Sequence, residues 1–130
     1  MYELIISLSL QSLCVKRLAT KELITCYPIV RQGKPTSPTP TGKFIIERVV
    51  KYPNWVDDYG VVYQNVNGTG SLGEYAFTTN LRTTNGRVFA IHGTTDYGNV
   101  GMGCIGLYNH HIKELKAFWI DYTLGGVITP

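Results

Sequence analysis

This chain of 130 residues predicts a mainly β fold with one short helix near its C-terminus. Three observations carry that expectation. Fourteen glycines, six prolines and nine tyrosines suit many turns between aromatic-rich strands and argue against an all-α chain. Apolar and polar residues alternate in the opening segment, where Ser7, Ser9 and Gln11 separate Ile6, Leu8 and Leu10. Helical spacing shows near the end, in Ile112, Leu115 and Trp119.

Taken in order, residues 4–16 and 23–30 read as two strands joined by a polar turn around Lys16–Glu22. Cys14 and Cys26 lie on either side of that turn. Either they pair, leaving Cys104 alone, or both are small buried strand residues. The segment Arg31–Gly42 holds three prolines and two glycines and reads as a stiff loop pinned within one domain. Lys43–Lys51 is a third strand. Residues 52–73 are a long irregular excursion with one short strand near Val61-Val62-Tyr63, the kind of loop that forms a lid. Glu74–Leu81 is the next strand, Asn85-Gly86 a turn, and Arg87–His92 the strand after it. Ile105–Tyr108 is extended, Asn109 is an N-cap for a helix over 110–120, and Val127–Thr129 closes the chain as a strand.

The length suits a single domain over residues 1–130, with one core and not two. An apolar share of 44% excludes disorder through low hydrophobicity. Basic residues exceed acidic ones by 12 − 9 = 3 and form no dense block, which is too weak a charge to argue for nucleic acid. No apolar stretch approaches the roughly 20 residues that span a bilayer. The opening Met1–Leu8 carries Glu3, lacks a basic n-region and is followed by no small-residue cleavage site. No signal peptide is visible, and the segment is read as structure. No Cys-x-x-Cys or His-x-Cys cluster is present, and the adjacent His110 and His111 diverge on a helix, so no metal is expected.

The chemistry concentrates in two short motifs. His92-Gly93-Thr94 ends the apolar run Val88–Ile91, and Gly103-Cys104-Ile105 follows with the cysteine twelve positions after the histidine. Glycines at 101, 103 and 106 remove side-chain bulk around the sulfur. A single cysteine is most often a buried small residue, and a single histidine a structural one. Here each sits at a strand end among glycines, where side chains emerge at a cleft. A thiol, an imidazole and exposed N–H groups are the parts of a cysteine acyltransferase.

With these residues the chain resembles the catalytic domain of the L,D-transpeptidases, cysteine enzymes of bacterial peptidoglycan. The resemblance rests on an ordered set: Thr39-Pro40-Thr41-Gly42-Lys43-Phe44, Leu72-Gly73, Ala76-Phe77, Ile91-His92-Gly93-Thr94, Gly103-Cys104-Ile105, Asn109 and Gly125–Ile128. It implies sandwich-like mixed sheets, one short C-terminal helix and a long loop or lid region. It further implies that Cys104 attacks a carbonyl in a peptidoglycan stem peptide, His92 serves as base and the Gly93 carbonyl orients the ring. Backbone N–H groups of Gly103 and Cys104 would hold the oxyanion. Stem peptides would be donor and acceptor, no metal or organic cofactor would enter, and the location would be the cell envelope or periplasm. A hydrolase of L,D-carboxypeptidase type and a non-catalytic wall-binding module are the alternatives. Three departures from the family pattern stand out. Gly101-Met102 replaces Ser/Thr-His, Gly106 replaces an arginine two places after the cysteine, and the interval from His92 to Cys104 is shorter. Arg82, Arg87 and Lys43 are the cations considered in place of that arginine, while Tyr75, Tyr97 and Trp55 are read as packing residues.

Overall fold

The structure, a computed structural model, describes residues 1–95, 103–118 and 125–130. Burial with a period of two builds its sheet. In β1 (Tyr2–Ser7) Leu4 and Ile6 are fully buried, and in β2 (Ser12–Arg17) Leu13 and Val15 are, while their neighbours reach solvent. The remaining strands are β3 (Leu23–Pro28), β4 (Gly42–Lys51), β5 (Trp55–Val56), β6 (Val62–Tyr63), β7 (Tyr75–Arg82), β8 (Val88–Thr94), β9 (Ile105–Tyr108) and β10 (Gly125–Thr129). A helix, α1 (Asn109–Lys116), follows β9.

Among the described residues eight strands form one mixed sheet in the order β3-β2-β1-β10-β4-β7-β8-β9, and β5 pairs with β6 in a separate hairpin. The β1/β10 and β8/β9 pairs are parallel and the others antiparallel. The sheet folds back on itself. Just beyond β3, Arg31 bridges to Gly106 in β9, so the first strand in the order meets the last. The enclosed core includes Phe44, Phe77, Phe89, Ile91 and Leu107, and α1 adds Ile112 and Leu115. The mainly β fold, mixed sheet and single short helix agree with the sequence reading. Among the described residues no helix is long and apolar enough to cross a membrane.

Several local expectations need correction. Residues 4–16 are two strands, not one. Ser7 Oγ accepts the N–H of Leu10 at 3.2 Å and Gln11 takes φ of +50°, so the chain reverses in a stretch with neither glycine nor proline. Leu10 consequently points into solvent, 77% exposed. The helix N-cap is Tyr108, and no side chain caps the helix. Asn109 lies inside the first turn, and its Oδ1 instead accepts the N–H of Glu74 at 2.7 Å. Within the described residues α1 ends at Lys116, Ala117 is exposed, and Phe118 packs edge-on against Tyr2. Trp119 lies outside the described residues.

Cys14 and Cys26 face one another across β2 and β3 and form a disulfide. Cys26 is exposed, so the bond staples the outer surface instead of filling the core. Closing a loop between partners 12 residues apart removes chain entropy from the unfolded state worth about 3 kcal/mol. Cys14→Ser/Cys26→Ser is therefore expected to lower unfolding free energy in urea by about 2–3 kcal/mol. The cleft described below should be untouched, read as an unchanged rate of Cys104 alkylation in the folded protein. A stability equal to that of the parent would contradict this account.

Candidate active site

Strand β8 presents alternate residues to opposite sides. Phe89 and Ile91 enter the core, whereas Val88, Ala90 and His92 line a cleft of about 890 Å³. Strand β9 runs parallel beside it, with Ile91 opposite Ile105 and His92 opposite Gly106. Cys104 immediately precedes β9, two residues before Gly106, and lines the same cleft. The turn into Cys104 requires glycine at 103, where φ is +115°. A side chain there would also press on Thr83, whose Cγ2 would lie 2.9 Å from the added carbon.

The imidazole of His92 is held from behind. Its Nδ1 lies 2.6 Å from the carbonyl oxygen of Gly93. A carbonyl can only accept, so Nδ1 carries the proton and Nε2 keeps its lone pair. Burial drives the pKa down from 6.5 to about 4, the Gly93 carbonyl opposes this, and the positive charge of Arg31 adds to it. His92 is therefore neutral across the physiological range.

The thiol of Cys104 is half-buried and donates to the carbonyl of Val88 at 3.8 Å, not to the ring of His92. Burial raises its pKa, while a backbone hydrogen bond from Ala90 and the charges of Arg87 and Arg31 pull it back. The resting pair is thus thiol and imidazole, not thiolate and imidazolium. Gly93 also lets α1 sit tightly under the site. A Cβ there would lie 2.7 Å from both Asn109 Oδ1 and Ile112 Cγ2.

The hairpin of β5 and β6 roofs the cleft. Trp55 and Tyr63 both line it, their rings 4.9 Å apart and inclined by 35°, so Trp55 is a cleft residue and not packing alone. The long excursion thus contributes Trp55, Val56 and Tyr63 to the wall of the cleft. Asp57 organises the hairpin tip by accepting the N–H groups of Tyr59 and Val61, each at 2.9 Å. Arg87 ties the roof to the floor, donating to Val56 O at 2.8 Å and pairing with Asp58.

Of the three cations considered from sequence, Arg87 lines the cleft, while Arg82 and Lys43 are exposed and do not. The residue that sequence reasoning missed is Arg31, which reaches the same cleft. It lies at the start of a proline-rich loop, and only the closure of the sheet brings it to Gly106. Tyr75 packs against the core and lies under Lys116, as a packing residue should. Gly101, Met102 and Tyr97 lie outside the described residues. The His111 ring lies tilted 4.9 Å from that of Tyr27 and 4.1 Å from that of His110, so the two histidines do not diverge as expected; among the described residues no group of three or more His, Cys, Asp or Glu could hold a metal ion.

Comparison with known proteins places this geometry in context. The L,D-transpeptidase catalytic domain (YkuD) family model matches residues 2–123. No curated protein matches significantly. Among solved structures, the Ldtfm–avibactam carbamoyl enzyme is 20% identical with a TM-score of 0.74, covering 99% of this chain and 49% of that one. The Enterococcus faecium L,D-transpeptidase catalytic domain acylated by ertapenem is also 20% identical, with a TM-score of 0.67 and coverage of 98% and 96%. L,D-transpeptidase 1 of Mycobacterium tuberculosis is 20% identical, with a TM-score of 0.62 and coverage of 99% and 61%. The chain spans about half the length of the first of these structures, and at such identity the likeness is one of fold. The family model covers nearly the whole sequence, and the chain belongs to the L,D-transpeptidase catalytic domain family.

Proposed function

We propose that this protein is a cysteine acyltransferase acting on peptidoglycan stem peptides, with Cys104 as nucleophile and His92 as base. The observation that carries the reading is the fixed tautomer of His92. Its Nδ1 is committed to Gly93 O, which leaves a basic Nε2 on a side chain that shares a cleft with the thiol. Rotation about the Cα–Cβ bond of Cys104 releases Val88 O and turns the sulfur toward that nitrogen.

Acylation then proceeds in balanced steps. Nε2 takes the thiol proton as sulfur attacks the carbonyl of the third residue of a stem tetrapeptide. The negative charge on the carbonyl oxygen is met by N–H groups of Gly103 and Cys104. Collapse of the tetrahedral species breaks the amide bond, and the imidazolium gives its proton to the departing amine of the terminal D-alanine. The thioester left on Cys104 is consumed by an amine of a neighbouring stem, with transfer of the acyl group and recovery of the thiol. Water in place of the amine would give the hydrolase outcome from the same intermediate. The cell envelope, where peptidoglycan lies, is the setting that this substrate implies.

The reading is tested by incubation with a carbapenem followed by mass spectrometry. One covalent adduct is expected, lost in Cys104→Ala, and His92→Ala should slow its formation by about 10²–10⁴-fold. Absence of an adduct together with retained binding to peptidoglycan would instead identify a wall-binding module.

The protonation states generate a second expectation. Because the base is neutral down to about pH 4, the acylation rate should change little between pH 7.5 and 5.5. A fall centred near 6.5 would contradict a buried imidazole. The same shift links to stability. The unfolded histidine binds a proton near 6.5 and the folded one only near 4, so stability is lost as pH falls through that window. From pH 7.5 to 5 the histidine's share of the loss is about 2 kcal/mol, which His92→Gln should remove from the pH dependence of urea unfolding.

A further inference from the structure

Thr83 is a cleft residue that the acyl-transfer steps above do not use. It follows β7, lines the cleft and is only 6% exposed. Its backbone is fixed by the turn into β8: the N–H donates to Arg87 O at 2.8 Å, and the carbonyl accepts the Gly86 N–H at 2.9 Å. Its side chain packs on the residue before the nucleophile, since a Cβ at Gly103 would lie 2.9 Å from Thr83 Cγ2 and 3.1 Å from Thr83 Cβ.

Two other buried threonines commit their hydroxyls to the backbone. Thr79 donates to Phe89 O at 2.8 Å, and Thr39 accepts the Gly33 N–H at 2.9 Å. Thr83 Oγ1 is closed to solvent and, among the described residues, has no hydrogen-bond partner. A hydroxyl in that state lowers stability, because it has given up water without gaining a partner. Neither the turn nor the packing on Gly103 calls for the oxygen, since valine would fill the same space. What does call for it is a partner that enters from the cleft.

We propose that Thr83 is a substrate-contacting residue whose hydroxyl hydrogen-bonds a backbone peptide group of the donor beside Cys104. Hydroxyl and methyl exchange places by a rotation of about 120° about Cα–Cβ, which brings the oxygen to a ligand with no movement of the backbone. A hydroxyl donates to a peptide carbonyl or accepts from a peptide N–H, and both groups flank the acyl carbon of an amide donor. The bond holds the donor on the Gly103 side of the thiol. The inference rests on the acyl-transfer reading for the identity of the ligand, a stem tetrapeptide.

The test is calorimetric titration of Cys104→Ala protein with the stem tetrapeptide, which reads binding without turnover. Adding Thr83→Val should weaken binding about tenfold, and Thr83→Ser in its place should bind within about twofold of Cys104→Ala protein. Urea unfolding supplies a readout that a structural hydroxyl would move the other way. The valine variant should unfold at the same urea concentration as Cys104→Ala protein or a higher one. Unchanged affinity in the valine variant overturns this inference alone and leaves the acyl-transfer reading standing. A valine variant that unfolds earlier or does not fold also overturns it, because the hydroxyl is then paired within the protein. A tetrapeptide that does not bind Cys104→Ala protein at all removes the stem peptide as ligand, and both readings with it. If the parent forms no carbapenem adduct while valine loss and serine rescue are both seen, the chemistry is lost and the contact made by Thr83 stands.

Discussion

The contact between Arg31 and Gly106 closes the sheet, and the geometry of the cleft depends on it. Val30 and Arg31 both donate to Gly106 O, at 2.9 and 3.2 Å, and Gly106 returns its N–H to Arg31 O at 2.9 Å. Without this seam β9 would be an edge strand with unpaired backbone groups along one side. With it, the segment that follows β3 is carried across to β9, and chain regions 70 or more positions apart share one wall. Glycine at 106 is the condition. The same residue that completes the seam faces His92 in the next strand, and an added Cβ would crowd Arg31 Cβ at 3.1 Å and Thr94 Cγ2 at 3.3 Å.

That dependence explains what was legible in the sequence. Strand β8 was legible as the apolar run Val88–Ile91, whose residues face the core on one side and the cleft on the other. The two motifs at the site were readable because each lies at the end of a short apolar run: His92 is in β8, Cys104 immediately precedes the parallel β9, and both line one cleft. Turns made by side chains were less visible. Ser7 reverses the chain with a hydroxyl that looks, in the sequence, like one more polar strand residue. Asn109 looked like a cap because asparagine favours that position. Its amide oxygen is instead claimed by Glu74 N–H, a partner 35 residues away that no local pattern reveals. Arg31 was hidden for the same reason, since its role comes from closure of the sheet and not from its neighbours in the chain.

The site also combines electrostatic demands that oppose one another. Burial keeps His92 neutral and able to act as a base, but burial also holds the thiol proton in place. Two arginines act against the second effect, drawing the thiol back toward ionisation. Arg31 simultaneously disfavours the imidazolium, so the charged pair is not formed at rest. On the proposed acyl-transfer reading, proton transfer then has to be driven by nucleophilic attack itself. This is differential binding in its usual sense: the charges become complementary only as the reaction proceeds.

Floor and roof of the cleft are held by different kinds of interaction. The floor consists of buried strands in which Gly93 meets Asn109 and Ile112 without intervening side chains, and packing of that density transmits displacement instead of absorbing it. The roof is a two-stranded hairpin whose tie to the floor runs through Arg87, and both that arginine and its partner Asp58 are more than one-third exposed. Exposed ion pairs are screened and contribute little. The groups that must keep their alignment, His92 and the Gly93 carbonyl, therefore belong to the part of the fold that resists movement. The aromatic surfaces of Trp55 and Tyr63 belong to the part that is held by exposed contacts. The hairpin can consequently vary in shape without disturbing the tautomer of the base, because no hydrogen bond of His92 passes through it.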